Sequence, residues 1–284
     1  MNNMVLFPKY IQIETSVVCN SNCIFCPHKE MERGPDYMEE WVWKKIIDES
    51  RGKGVIYRPF MINEPFVDLR IPDVLRYIRK DPTAKIEFNS NGNFHPKFDV
   101  SAVLDAGIDW IRFSIDGFTE GTFKKSGRGG NFKKIVINVL DFIEENNRQG
   151  GKCHVEVRMI DLDITRNEQK DFVTFWKQHA HEATITQLYS WPWSGQTEPF
   201  RAPCPKIKSE MFFMVDGCAV LCCWDAFARG VVGDIKTQTV EEIWLGNPNQ
   251  QYRELLGRGE REKIHLCSKC DAFKGYDFSK WSGY

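Results

Sequence analysis

The stretch Cys19-Asn20-Ser21-Asn22-Cys23-Ile24-Phe25-Cys26 decides how the rest of the chain is read. It gathers three thiols just after an apolar run at 10–14 that reads as a β-strand. In folds made of repeated strand–helix units, catalytic groups sit on loops at the C-terminal ends of strands, and these thiols would project from such a loop. Thiolates are the usual ligands of iron–sulfur clusters, and a [4Fe–4S] cube normally takes four of them. Three would leave one iron open to a substrate or cofactor. Zinc is the competing use; it more usually takes paired CxxC units or a nearby histidine, and His28 is close.

Outward from this loop, as far as about residue 190, short β-branched runs alternate with longer amphipathic stretches. The pattern predicts strands at 10–14, 55–61, 85–89, 110–115, 154–160 and 184–188, with helices at 38–51, 71–80, 99–106, 131–148 and 167–179. Such alternation builds a parallel sheet, and six strands are fewer than the eight of a closed barrel. The expected fold class is therefore α/β: a partial (β/α)6 TIM-like barrel with its site at the strand C-termini. After Leu188 the character changes to a connector containing Trp191 and Trp193, then strand-like pieces at 211–215 and 219–222 and helical patterns at 240–245 and 250–256. The expected division is a core domain over 1–190 and a small α+β domain over 191–284. The second is too poor in apolar residues to build a core alone, so bound metal would supply what packing lacks.

Composition narrows the function. With 38 basic and 39 acidic side chains the formal charge is -1, so no one-signed field points to a nucleic acid or an anionic membrane as partner. No apolar run is long enough for a membrane span, and the start MNNMVLFPKYIQIE lacks a secretory pattern, so a cytoplasmic protein with a small-molecule substrate is expected. Ten cysteines in a reducing compartment imply metal ligation rather than disulfides. They fall in two groups, Cys19, Cys23 and Cys26 at one end and Cys204, Cys218, Cys222, Cys223, Cys267 and Cys270 at the other, with Cys153 between.

The CxxxCxxC spacing with an aromatic residue before its last cysteine resembles the radical S-adenosylmethionine superfamily. The resemblance implies that Cys19, Cys23 and Cys26 hold a [4Fe–4S] cluster whose open iron is chelated by S-adenosylmethionine, the source of a 5′-deoxyadenosyl radical. Met61-Ile62-Asn63-Glu64-Pro65 is similar to the family's GGEP-type segment, with Ile62-Asn63 standing in place of the glycine pair. It implies that Asn63 and Glu64 lie at the cofactor's amino group. Asn89-Ser90-Asn91-Gly92 resembles the TNG turn, and Ser114-Ile115-Asp116-Gly117 resembles the SxDG stretch. By that likeness Ser114 and Asp116 approach the ribose and Arg158 reaches the cofactor's carboxylate. Asn-Gly and Asp-Gly are also ordinary turn signals.

The C-terminal cysteines resemble the SPASM/twitch extension of the same enzymes, in which a hairpin and a closing CxxC bind an auxiliary cluster. The family pattern places the hairpin ligand five residues after its glycine, which here is Gly217. The implied ligands are thus Cys204, Cys222, Cys267 and Cys270. Cys223 points to the opposite strand face from Cys222. It is either a hydrogen-atom donor to a substrate radical or a small buried hydrophobe.

The expected reaction is oxidation or epimerisation of a small polar molecule such as a sugar or aminocyclitol, with a flavodoxin- or ferredoxin-type reductant. The strand beginning near residue 10 leaves no room for a leader-peptide domain, which motivates that choice. Ribosomal-peptide maturation and a non-catalytic electron-transfer role are the alternatives.

Overall fold

The computed structural model describes residues 6–34, 36–189 and 204–272. Six parallel strands, β1 (Tyr10–Ile13), β2 (Ile56–Arg58), β3 (Lys85–Ser90), β4 (Trp110–Ser114), β5 (His154–Asp161) and β6 (Glu182–Gln187), follow one another across the sheet. Parallel neighbours need crossover connections. These are α1 (Glu40–Glu49), α2 (Ile71–Ile78), α3 (Val100–Ala106), α4 (Glu120–Lys125) with α5 (Phe132–Arg148), and α6 (Gln169–Trp176). The result is the partial TIM-like barrel expected from the strand–helix alternation.

Period-two alternation divides each strand between two environments. Ile86 and Phe88, Ile111 and Phe113, and Val155, Val157 and Met159 are buried in the main hydrophobic core. The intervening Glu87, Asn89, Arg112, Ser114 and Arg158 line a central cavity. On the core side, α5 presents Ile135, Val139, Phe142 and Ile143, and Phe113 meets Phe142 edge-on at 5.1 Å between ring centroids. Side-chain caps fix where helices begin: Asp99 accepts from the Ala102 N–H and Asn131 from that of Lys134.

The C-terminal segment continues the same sheet. After α7 (Lys206–Ser209), β7 (Glu210–Phe213) pairs in parallel with β1, setting Tyr10 opposite Glu210 and Ile13 opposite Phe213. Strands β8 (Cys218–Val220) and β9 (Val231–Asp234) follow in antiparallel order and give the sheet its remaining edge. Helices α8 (Val240–Leu245) and α9 (Asn247–Gly257) pack here, α8 opening with a Thr239/Glu242 capping box. Ile235, Val240, Ile243, Trp244 and Leu256 join the core of the barrel rather than forming a second one.

Departures from the sequence reading have local causes. β2 is confined to Ile56–Arg58 because Pro59, which has no N–H to donate, follows it. α9 begins at Asn247, earlier than its periodicity suggested, since Pro248 is well suited to a first helical turn. α4 and β9, too short to carry a periodic signal, were not anticipated. The expected boundary near 190 and the Trp191/Trp193 pair lie outside the described residues.

Phe113 is fully buried between Phe142 and Phe94. Phe113→Ala should cost about 3–5 kcal/mol, measured as a lower midpoint in urea unfolding at unchanged slope.

Candidate active site

The cysteine loop leaves β1 at its C-terminal end and contains only one turn of 3-10 helix, Pro27–Glu30. Other segments hold it in place. The Asn22 N–H donates to the Gly127 carbonyl (3.0 Å), the Ile24 N–H to that of Ser126 (3.1 Å), and the Gly129 N–H to the Ser21 hydroxyl (3.2 Å). Asn91 Nδ2 donates to Asn20 Oδ1 and Ser21 Oγ at 2.8 and 2.9 Å. Past the third cysteine, Arg33 forms a forked ion pair with the fully buried Glu14 at 2.6 and 2.8 Å, while the His28 ring donates to the Val17 carbonyl at 2.6 Å. The imidazole Nε2 therefore braces the loop instead of facing a metal.

Gly127 and Gly129 are required by this docking. A Cβ on Gly127 would lie 2.3 Å from the Asn22 carbonyl oxygen, and one on Gly129 only 1.9 Å from that of Asn20. Gly127 also has φ 77°, which favours glycine.

Cys19, Cys23 and Cys26 line a cavity of about 920 Å³ together with Asn63, Glu64, Ser114 and Arg158. Asn63 is turned back on its own loop, accepting from the Met61 N–H at 2.8 Å. Glu64 is buried and accepts from the Phe66 N–H (3.0 Å), the Ser90 hydroxyl (2.8 Å) and the Asn91 N–H (2.5 Å), which ties the ends of β2 and β3 together. Burial nevertheless pushes its carboxyl up to about 7. Asp116 is not among the residues that line the cavity. It is fully buried, accepting from the Ile160 N–H at 2.8 Å and from Arg128 Nε at 2.8 Å.

Arg128 is a cavity residue that sequence reasoning missed, as it did Arg58, Arg112, Lys206 and Glu210. Burial opposes its charge, but Asp116 and the neighbouring Cys23 hold its proton more tightly than usual. The available signal was Ser126-Gly127-Arg128-Gly129-Gly130, a glycine-rich segment with a single cation.

The C-terminal cysteines divide between two spaces, although the adjacent Cys222 and Cys223 thiols touch each other in the turn after β8. Cys204, Cys222, Cys267 and Cys270 all line one small pocket of about 30 Å³, beside the buried Arg261. Cys223 instead lines the large cavity, with Trp224, Lys206 and Glu210. Cys218 lines neither, and Cys153 is buried in the core. Lys206, Trp224 and Ala272 face both spaces and form the partition between them.

Among the described residues, no group of three or more His, Cys, Asp and Glu is arranged to hold a single metal ion. Zinc needs its donors to converge on one point, whereas each thiolate of a cube takes its own iron. Burial pushes the Cys19 thiol up to about 12 and that of Cys26 to about 11. A bound cation would reverse that preference.

An α/β barrel with an incomplete thiol set at its strand ends and a complete one behind the cavity wall defines a cluster-bearing enzyme. Residues 13–160 match the radical SAM superfamily, and residues 204–271 match an iron–sulfur cluster-binding domain. The chain belongs to the radical SAM superfamily, whose cofactors are [4Fe–4S] clusters and S-adenosylmethionine, and the two thiol sets fit them.

Among relatives, a probable GTP 3′,8-cyclase of Methanococcus maripaludis is 27% identical over 152 residues, 53% of this chain and 49% of that protein. A GTP 3′,8-cyclase of Lactiplantibacillus plantarum is 24% identical over 189 residues, 63% of this chain and 54% of that protein. The chain thus spans about half the length of the curated relatives it matches. Among solved structures, BtrN in complex with AdoMet and 2-DOIA superimposes with a TM-score of 0.65 at 15% identity, covering 93% of each chain. Native anSMEcpe with bound AdoMet gives 0.67 at 14% identity over 92% of this chain and 88% of that one. These likenesses concern the fold. No helix among the described residues is long and apolar enough to cross a membrane.

Gly129→Ala should displace the cysteine loop without touching the second thiol set. Reconstituted variant protein is expected to carry about half the iron of wild type, one cube in place of two, with an unchanged far-UV spectrum.

Proposed function

We propose that this protein abstracts hydrogen from a small polar substrate, such as a sugar or aminocyclitol, and completes an oxidation or an epimerisation. The observation that carries the reading is a large cavity lined by Cys19, Cys23, Cys26 and Cys223, with the other thiol set, Cys222 included, lining a small pocket behind its wall. When bound, S-adenosylmethionine on the N-terminal cluster supplies a hydrogen-abstracting 5′-deoxyadenosyl radical, and the C-terminal cluster supplies an electron acceptor. Cys19, Cys23 and Cys26 would hold the first cluster, and Cys204, Cys222, Cys267 and Cys270 the second. Glu64 accepts from the N–H of the cofactor's amino group, Ser114 and Arg158 receive its polar groups at the rim, and Asp116 acts through Arg128. A flavodoxin- or ferredoxin-type protein provides the electron.

Cys223 divides the two outcomes. In an epimerisation its Sγ returns a hydrogen atom to the face opposite the one that lost it, leaving a thiyl radical to be reduced. In an oxidation the substrate, having lost a hydrogen atom, gives up a further proton and an electron, and Cys223 is a wall residue. A peptide substrate is the second reading; it is supported by the fold-level likeness to SuiB of Streptococcus suis, solved bound to precursor peptide SuiA, with a TM-score of 0.64 at 13% identity over 94% of this chain and 72% of that one.

Turnover in deuterated water with Cys223→Ala tests the thiol. As a donor, Cys223 places one solvent deuterium in the product, and the variant loses that label while both clusters remain. An oxidised, unlabelled product formed equally by wild type and variant removes the donor role and leaves oxidation.

Glu64 sets a pH dependence. Its carboxyl keeps a proton below about 7 in the cofactor-free protein. The ionised form accepts more strongly from the amino N–H, so affinity for S-adenosylmethionine should rise by up to about 10-fold from pH 6 to pH 8. Equilibrium dialysis should show that rise in wild type and a flat profile in Glu64→Gln.

A further inference from the structure

We propose that the substrate carries an anionic group, a carboxylate or a phosphate ester, which is received by Arg112 on the barrel wall. The inference rests on the reading of the central cavity as the substrate site and adds a chemical class to it.

Charge pairing around the cavity is the starting point. Arg58 is paired with Glu87 (2.8 Å) and Glu210 (3.4 Å), Lys206 also reaches Glu210 (3.0 Å), and Arg128 is paired with Asp116 (2.6 Å). These cations are matched by carboxylates. Arg112 and Arg158 differ, because both lean on a single carboxylate, Glu156. Arg112 Nε donates to Glu156 Oε2 at 2.9 Å, and Arg158 Nε donates to Oε1 at 3.2 Å. The Thr184 hydroxyl also donates to Oε1, at 2.6 Å, so Glu156 has little left to offer either guanidinium. One positive charge remains uncompensated on this part of the wall.

Arg112 has the geometry to use it. Its Nη1 makes only a long contact to Asn89 Oδ1 (3.4 Å), and its Nη2 has no partner among the described residues. Its guanidinium lies 4.3 Å from the centroid of the Trp110 ring, which holds the fork in place and leaves the other edge open to the cavity. Burial and the nearby Arg158 charge push the Arg112 guanidinium down to about 10, a strain that an anion would relieve.

Depth separates this site from the cofactor. In the β4–β5 register Ser114 lies opposite Arg158, and Arg112 lies opposite Glu156. Arg112 is therefore one inward-facing layer, about 7 Å, below the rim where Ser114 and Arg158 sit. A molecule beneath the cofactor would meet Arg112 first.

Calorimetric titration of the reconstituted holoprotein with inorganic phosphate and with acetate, using glycerol as the neutral control, tests the proposal. One of the two anions should bind and glycerol should not, the preferred anion indicating whether the group is a phosphate or a carboxylate. Arg112→Gln should weaken that binding about 10-fold or more, with Arg112→Lys intermediate. Saturating S-adenosylmethionine should leave anion binding to wild type unchanged.

The proposal is overturned if wild type binds neither anion, if Arg112→Gln binds as well as wild type, or if S-adenosylmethionine competes with the anion, which would assign the charge to the cofactor's carboxylate. Reductive cleavage of S-adenosylmethionine by wild type is followed separately. Cleavage without anion binding sinks this inference alone, whereas anion binding at Arg112 without cleavage sinks the radical reading and keeps the site.

Discussion

The buried ion pair between Arg128 and Asp116 is the constraint on which the site depends. Asp116 spends one oxygen on the Ile160 N–H of β5 and the other on Arg128, so the guanidinium is fixed to the sheet. Arg128 in turn belongs to the glycine segment whose backbone carries the cysteine loop. Removing one partner would leave a charge buried without compensation, a cost far above that of a surface pair. The loop has almost no regular structure of its own, so the positions of three thiols are inherited from an interaction made elsewhere in the barrel.

A second consequence concerns the cavity itself. Alternation along the strands sends apolar side chains to the helices and charged ones inward, so the barrel interior is a cavity with charged groups in its wall rather than a packed core. Joining β7 to β1 sets Lys206 and Glu210 in that wall and brings the second thiol set behind it. The adjacent residues Cys222 and Cys223 then face different compartments. The turn that follows β8 thus divides the four-thiol pocket from the large cavity.

Much of this was legible in the sequence. The strands of the barrel, the long α5 and helix α8 could be read from periodicity, whereas the strand expected at 219–222 ends at Val220, so Cys222 and Cys223 lie in a turn and not on opposite faces of a strand. What escaped was set by tertiary context. Asp116 was read as facing the cofactor because Asp-Gly after a strand resembles a family turn, yet its two oxygens are occupied inside the protein. Arg128 stands on a connection whose glycines look like ordinary turn residues until the carbonyls of Asn20 and Asn22 are found against them. The attachment of β7 to β1 is a long-range pairing that no local pattern encodes.

The account is tested most directly by electron–nuclear double resonance on the reduced protein, with S-adenosylmethionine isotopically labelled at its amino nitrogen. A thiol set that leaves one iron open predicts hyperfine coupling between that nitrogen and the N-terminal cluster. A bound cofactor and an intact cluster with no such coupling would mean that the iron is already fully ligated, contradicting the account.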